Sequence, residues 1–326
     1  MRAIRVPQHG GPDVLELAEM PAPQPTPEQT LVRVRYAGVN FIDIYHREGF
    51  YKLETPFTPG LEGVGVVDGS EERVAWCGTL GSYAEQVAVP TAAMVGVPDG
   101  VPDDVAGAAM LQGLTAHYLV TSVFPIAAGH TALVHAAAGG VGQLLCQMIT
   151  SRGGTVIGTV SSPEKAEAAI AAGAAHVIGY DDVAAKVREL TGGVGVDVAY
   201  DGVGKATFDG SLAALRRRGL LALFGAASGA PDPLELGRLS AGGSLIVTRP
   251  SLGELSKVHC DGWGMSYDTP EGRVRLRDVT AAHESTAYTA AQTSISATDA
   301  IVHLRMATSG LSVCEANTHP FLIDSP

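Results

Sequence analysis

The chain has 326 residues, of which 46% are hydrophobic and 17% charged, a length that suits two domains better than one core and a balance that excludes disorder. Its formal net charge of -12, with no basic patch, argues against binding nucleic acid or an anionic membrane. The cysteines, Cys77, Cys146, Cys260 and Cys314, are scattered without a CxxC pair, which argues against a disulfide framework or zinc knuckle and fits a reducing cytoplasm.

Along the chain, residues 1 to about 112 read as mostly β. β-rich runs at Thr30–Tyr36, Gly63–Val67, Arg73–Trp76 and Gln86–Val89 are separated by Pro and Gly. The N-terminus, Met1-Arg2-Ala3-Ile4-Arg5-Val6, lacks the apolar run of a signal peptide. Pro21, Pro23, Pro25 and Pro27 predict a stiff, extended surface segment, and Pro102-Asp103-Asp104 opens an Ala-rich helix through Leu119. From Thr131 the rhythm changes to alternating strands and helices. Strands are expected at Thr131–His135, Thr155–Val160, Ala175–Ile178, Val196–Tyr200, Gly219–Phe224 and Ser244–Thr248. Helices are expected at Gly142–Ser151, Ser161–Ala172, Val183–Leu190 and Thr207–Arg217, with a Ser161/Glu164 capping box starting the second. The Arg216-Arg217-Arg218 run reads as a solvated helix end. The alternation predicts a doubly wound parallel sheet. The apolar stretch from Thr131 to Ile149 carries His135, Gln143 and a glycine cluster, so it reads as strand–turn–helix, not a membrane span. After about Ser251 the alternation is lost. His259, His283, His303, His319 and Trp263 crowd into this last stretch, which places a seam near residue 252.

The sharpest motif is Leu133-Val134-His135-Ala136-Ala137-Ala138-Gly139-Gly140-Val141-Gly142, which follows a strand and opens a helix. Gly139 lets the backbone approach a diphosphate, and Gly142 lets helix and strand pack closely. With Gly140 and Val141 they present free N–H groups at the positive end of a helix. Ala137 stands where the glycine pattern usually begins. No acid ends the next strand, where an NAD site would hold the ribose hydroxyls. The segment there is Thr159-Val160-Ser161-Ser162-Pro163-Glu164-Lys165. Ser161 and Lys165 suit a 2′-phosphate, so NADPH is the expected coenzyme; the alternative for Lys165 is a plain surface lysine. Asp201-Gly202-Val203-Gly204 and Phe224-Gly225-Ala226-Ala227-Ser228-Gly229 follow strands. They suit close contact with ribose and nicotinamide, or serve as plain turns.

Taken in order, Ala37-Gly38-Val39-Asn40-Phe41-Ile42-Asp43, Gly81-Ser82-Tyr83-Ala84-Glu85, Gln112-Gly113-Leu114-Thr115-Ala116, Ala138-Gly139-Gly140-Val141-Gly142 and the 224–229 loop resemble the NADPH:quinone reductases. These are the zeta-crystallin-like members of the medium-chain dehydrogenase/reductase superfamily. The resemblance implies an α/β chain in three parts: a GroES-like β-rich catalytic domain over 1–112, a Rossmann domain over 113–252 and an atypical segment over 253–326. It also implies an active site in the cleft between the first two. Zinc-dependent relatives carry a Cys near position 40 and a His-Glu pair near 61; here stand Asn40 and Leu61-Glu62. Three protein ligands for a catalytic zinc cannot be assembled. A quinone or conjugated enone is then the expected hydride acceptor, because conjugation spreads the incoming charge onto oxygen. The resemblance places Asn40, Asp43, Tyr45 and Tyr51 near substrate. Asn40 or Tyr45 would donate to the developing oxyanion, and Asp43 would fix its neighbours or act chemically. Tyr45 and Tyr51 read equally well as packing aromatics. Gln112 and Thr115 go to the coenzyme face, Lys165 and Tyr180 to the adenosine phosphate end, and Phe224, Gly225 and Ser228 to the coenzyme loops. Family members pair through an edge strand, and Leu245, Ile246 and Val247 suit such a homodimer.

In that family the chain after 252 returns to complete the catalytic domain, and those elements are not recognisable here. His259-Cys260-Asp261-Gly262-Trp263-Gly264, Ile301-Val302-His303-Leu304-Arg305-Met306-Ala307-Thr308 and Asn317-Thr318-His319-Pro320-Phe321 instead resemble an interior piece of class II glutamine amidotransferases. Arg305 matches the arginine that holds the glutamine carboxylate there. The N-terminal cysteine nucleophile has no counterpart in Met1-Arg2, so no glutaminase activity is expected. A metal site from His259, Asp261, His303 and His319 is a remote alternative to structural or solvated histidines. The altered tail leaves a second reading, a nucleotide-binding homologue with little or no turnover.

Overall fold

The computed structural model describes residues 1–234 and strands at 243–247, 262–269, 272–278, 299–305 and 321–324. The chain divides into two compact units, one built on Met1–Thr115 and one that begins at Ala116.

In the first unit, β1 (Arg2–Arg5) and β2 (Glu16–Glu19) form an antiparallel pair. After β3 (Gln29–Ala37) come helix α1 (Phe41–Glu48), β4 (Glu62–Val67), β5 (Arg73–Cys77), β6 (Gln86–Pro90) and β7 (Met94–Gly96). Strands β3 to β7 make one antiparallel sheet in the order β6-β3-β4-β5-β7. Valines at alternate positions set its inner face: Val32, Val74, Val87 and Val89 are buried around Trp76. Helix α2 (Asp103–Tyr118) starts where expected. Asp103 lies in its first turn and bonds the Arg35 and Arg73 guanidinium groups, which hold its carboxyl below the usual range. Helix α2 buries Ala106 against Val64 and Ala75 and runs on into a π-helical turn at Leu119–Val123.

The second unit alternates β8 (Thr131–Val134), α3 (Gly140–Ser151), β9 (Thr155–Thr159), α4 (Pro163–Ala171), β10 (His176–Ile178), α5 (Val183–Leu190), β11 (Val196–Asp201), α6 (Phe208–Ala214), β12 (Leu215–Leu223) and β13 (Gly243–Val247). The strands pair in parallel in the order β10-β9-β8-β11-β12-β13. This is two mononucleotide-binding halves back to back, with the reversal of direction between β8 and β11. Leu133, Ile157, Ala199 and Leu221 line one face of the sheet; Val134, Val156, Val198 and Ala222 line the other.

Two local expectations are corrected. The serine that caps α4 is Ser162, whose hydroxyl accepts from the Lys165 N–H, and Pro163 occupies the first helical position. Ser161 lies outside the helix. Helix α6 ends at Ala214, and Arg216-Arg217-Arg218 belong to β12 rather than to a helix end. The Arg188 guanidinium takes the Ala213 and Leu215 carbonyls, and Arg216 pairs with Asp197 on β11 at 2.6 Å. Those bonds draw the segment into the sheet, with a register shift between Val196 and Val198.

Beyond β13, β14 (Gly262–Thr269), β15 (Gly272–Asp278), β16 (Asp299–Arg305) and β17 (Phe321–Asp324) form their own antiparallel sheet, ordered β15-β14-β16-β17. The His-Leu-Arg segment lies on β16, with His303 opposite Gly264 of β14. His259, Cys260, Asp261, His283, Cys314, His319, the Met306–Thr308 and Asn317–Pro320 parts of the tail motifs, and Thr248 lie outside the described residues. Among the described residues no helix is long and apolar enough to cross a membrane.

Leu133 sits fully buried on the central strand β8. Leu133→Ala is expected to lower the unfolding free energy by about 2–5 kcal/mol, read as a reduced midpoint in urea with an unchanged slope.

Candidate functional site

Two constellations of buried polar groups stand out, one in each unit. In the first unit, the turn into α1 starts with the Asn40 N–H donating to Asp43 Oδ2 at 2.9 Å, and the Tyr83 hydroxyl donates to the same oxygen at 2.8 Å. The Asn40 amide Nδ2 donates to Glu62 Oε1 at 2.7 Å, and its Oδ1 accepts from Gln112 Nε2 at 3.2 Å. Glu62, at the start of β4, is fully buried and takes the Leu111 N–H on its other oxygen at 2.7 Å. Glycine at 38 makes this possible, since a Cβ there would run into the Glu62 carboxylate. Burial raises the pKa of both Asp43 and Glu62 above the ordinary carboxylate range, against the lowering effect of their hydrogen bonds. Tyr45 packs edge-on to Phe41 and Tyr51. The structure therefore brings Asn40, Asp43 and Gln112 into one bonded cluster, with Tyr45 and Tyr51 in an adjoining aromatic group. Thr115 stands apart: its hydroxyl is buried and bonds the Leu111 carbonyl within α2 at 2.7 Å.

In the second unit, Ala136 turns the chain after β8 with φ +50, a left-handed conformation that costs an alanine about 1–2 kcal/mol. The Gly139 N–H closes the turn onto the Ala136 carbonyl at 2.8 Å. No side chain caps α3, so the N–H groups of Gly140, Val141 and Gly142 face outward from its first turn. A Cβ at Gly142 would overlap the Ala136 carbonyl oxygen and lie 2.8 Å from Ala137 Cα, so helix and strand touch as the glycine pattern requires. At the end of β9, Lys165 Nζ donates to Ser161 Oγ at 2.9 Å on the exposed surface. The Tyr180 hydroxyl accepts from the Ala136 N–H at 3.2 Å, and its ring stacks on His135. The loops after β11 and β12 are stitched together: Ser228 N–H and hydroxyl both donate to the Val203 carbonyl, and Phe224 N–H to the Asp201 carbonyl. Gly225 lies against Gly202.

Beneath this turn runs a chain of hydrogen bonds whose direction is forced. Asp201 is fully buried and accepts from Val203 N–H, Gly204 N–H, and the Thr207 and Ser211 hydroxyls. With the Ser211 proton given to Asp201, His135 Nε2–H must donate to Ser211 Oγ at 2.8 Å, while Nδ1 lies 2.9 Å from the Thr159 hydroxyl. Burial favours the neutral imidazole, which then carries its proton on Nε2 and accepts from Thr159 at Nδ1.

These residues fit a dinucleotide phosphate: free helix N–H groups, a turn without side chains, and a lysine where an acid would select NAD. They do not fit zinc. Around Asn40 stand an amide, a carboxylate with both oxygens bonded, and Cys77 opposite Glu62. Zinc takes thiolate, imidazole or carboxylate ligands; here the amide is none of these, Glu62 spends both oxygens on hydrogen bonds, and burial with the Glu62 charge pushes the Cys77 thiol up to about 12. Sequence reasoning had found Glu62 only as part of Leu61-Glu62, where zinc-dependent relatives carry a His-Glu pair. It missed Tyr83, His135, Thr159, Asp201 and Ser211 as a bonded framework, because their partners are distant in sequence.

The pKa of His135 is lowered by burial, with Asp201 opposing. The unfolded chain therefore binds this proton first, and the contribution of His135 is complete above about pH 6.5 and lost below it. The stability of the wild type relative to His135→Gln should fall with pH below that point by up to about 1.4 kcal/mol per unit, in urea titrations at several pH values. A difference that does not vary with pH would contradict the neutral, buried imidazole.

Comparison with known proteins agrees with this geometry. Residues 26–99 match the alcohol dehydrogenase GroES-like domain, residues 140–253 the zinc-binding dehydrogenase family, and residues 248–324 the class-II glutamine amidotransferases. The quinone oxidoreductase of Pseudomonas aeruginosa is 43% identical over 290 residues, covering 85% of this chain and 86% of that protein. The 2-haloacrylate reductase of a Burkholderia species is 43% identical over 262 residues, covering 74% of this chain and 79% of that protein. Among solved structures, Escherichia coli quinone oxidoreductase complexed with NADPH superposes with a TM-score of 0.75 at 37% identity, covering 78% of this chain and 82% of that one. A mycobacterial protein complexed with NADPH gives 0.75 at 46% identity, covering 79% and 84%. With Asn40 hydrogen-bonded to Glu62 and the nucleotide turn intact, the chain belongs to the zinc-free quinone oxidoreductases of the medium-chain dehydrogenase/reductase superfamily.

Proposed function

We propose that this chain reduces quinones or conjugated enones with NADPH, without a metal. The observation that carries this is the side-chain-free contact of Gly142 with the turn after β8, which leaves the first N–H groups of α3 uncapped. Gly139, Gly140, Val141 and Gly142 would hold the coenzyme diphosphate. Lys165 and Ser161 would meet its 2′-phosphate beside Tyr180, and the loop carrying Phe224, Gly225 and Ser228 would follow its ribose and nicotinamide. Bound NADPH supplies a hydride, and with one proton from solvent the acceptor leaves as a hydroquinone or saturated carbonyl compound. Asn40 would donate its amide N–H to the acceptor oxygen as charge collects there. Tyr45 and Tyr51 would wall an apolar slot for the ring, and Asp43 fixes the start of α1 beneath them. Relatives named quinone oxidoreductase and 2-haloacrylate reductase, and a solved neighbour complexed with NADPH, support this reading over a homologue without turnover.

The protein is further proposed to be a cytoplasmic homodimer. Among the described residues β13 ends the hydrogen-bonded parallel sheet beside β12, while β15 of the tail packs against it, so the homodimer rests on the apolar Leu245, Ile246 and Val247 of this strand and on the family resemblance. Elution at the monomer mass in gel filtration would refute the dimer.

Steady-state oxidation of NADPH and NADH with one quinone tests the coenzyme assignment. Lys165→Ala is expected to raise KM for NADPH about tenfold, the loss of a charge-assisted phosphate contact, and to leave NADH kinetics unchanged. Equal effects on both coenzymes would count against the 2′-phosphate role.

A further inference from the structure

We infer that Glu62 is a positioning residue for the reaction: its buried carboxylate locks the Asn40 amide in the one orientation that leaves an N–H for the acceptor oxygen. This rests on the oxyanion role given to Asn40 above.

An asparagine amide can turn end over end with little change of shape, exchanging a donor for an acceptor. In this cluster the choice is made by Glu62. An ionised carboxylate only accepts, so the atom 2.7 Å from Oε1 must be Nδ2. Oδ1 then faces Gln112 Nε2. One Nδ2 hydrogen is committed to Glu62 and the second remains. The Glu62 charge also polarises that amide, which strengthens its remaining N–H as a donor. Glu62 has no freedom to turn away, because Oε2 holds the Leu111 N–H at 2.7 Å and the carboxylate fills the space a side chain at 38 would need. It touches no exposed surface and cannot meet substrate itself. A protonated Glu62 can donate, and the amide orientation is then no longer dictated.

The groups that face Glu62 are Asn40 before α1, Asp43 on α1, Cys77 on β5, Tyr83 before β6, and the Met110 and Leu111 N–H groups of α2. Asp43 is the other carboxylate able to titrate in the same range, since burial raises it too. Asp43 bonds the Asn40 backbone, not its amide, so the two are separable.

The test is a double-mutant cycle on the full chain with NADPH and a quinone, read as kcat and KM across pH. Asn40→Ala should lower kcat by on the order of a hundredfold. Glu62→Gln keeps the shape but places a donor against either Nδ2 or the Leu111 N–H. It should lower kcat roughly tenfold or more with KM for NADPH unchanged. It should add nothing in the Asn40→Ala background. The wild-type kcat should fall on the acid side as Glu62 takes a proton, and this limb should vanish in Glu62→Gln. It should vanish also in Asn40→Ala, a result that does not depend on the Glu62 variant folding. If the wild type does not oxidise NADPH with any quinone or enone, both the function and this inference fall. If Asn40→Ala is as fast as wild type, the oxyanion role and the lock fall together. If Asn40→Ala is slow while Glu62→Gln is as fast as wild type, multiplies with it, or keeps the acid limb, the lock alone is overturned.

Discussion

Helix α3 begins so near the end of β8 that position 142 has no room for a side chain. That contact aims the positive end of the helix at the space beyond the sheet, beside the point where strand order reverses between β8 and β11. It also forces Ala136 into a left-handed turn. The strain is held from two sides: Tyr180 takes the Ala136 N–H, and the Tyr180 ring lies on His135. His135 is in turn fixed through Ser211 and Asp201 to the loop after β11. One close approach of backbone to backbone thus organises the turn, the neighbouring aromatic and the facing loop.

Both constellations are governed by a fully buried carboxyl group that accepts from its neighbours. Asp201 is satisfied by two backbone and two hydroxyl donors, and each hydrogen bond to such a charge contributes about 1.5–3 kcal/mol against a desolvation cost of several. Glu62 has an amide and a backbone N–H as its hydrogen-bond donors, and its burial dominates. Asp43 is poorer still, with Oδ1 buried and unbonded. The first arrangement rigidifies a loop. The second stores electrostatic tension beside the groups proposed to meet an oxyanion, where a carboxylate under strain has most effect on its neighbours.

Much of the architecture was legible because it rests on local periodicity. The β runs of the first unit and the α5 boundaries emerge from alternation and apolar spacing alone, and the glycine turn from its strand–helix context. Errors arose where a tertiary bond overrides local preference. Two adjacent serines offer the same capping chemistry, and the Pro163 ring at the first helical position selects Ser162. Three arginines read as a helix end until Asp197 and Arg188 are seen to pull that segment into β12. The Glu62–Asn40 bond spans 22 positions and the His135–Ser211 bond 76; no pattern in either neighbourhood announces its partner. The tail motifs outside the described residues stand as sequence resemblance only.

The segment matching glutamine amidotransferases bears on this chemistry less than its length suggests. Its strands β14 to β17 pair with one another in an antiparallel sheet, with β15 packed beside β13, whereas among the described residues the five-stranded sheet of the first unit is built of β3 to β7. Every described residue that grips the α3 turn or orients Asn40 precedes residue 230 in the chain. The donors that fix Glu62 come from α2 and the loop before α1, and those that fix Asp201 from the two turns after it and from α6. Among the described residues, both buried carboxylates are thus held by donors within their own unit, and these donors precede the part of the chain that departs from its family.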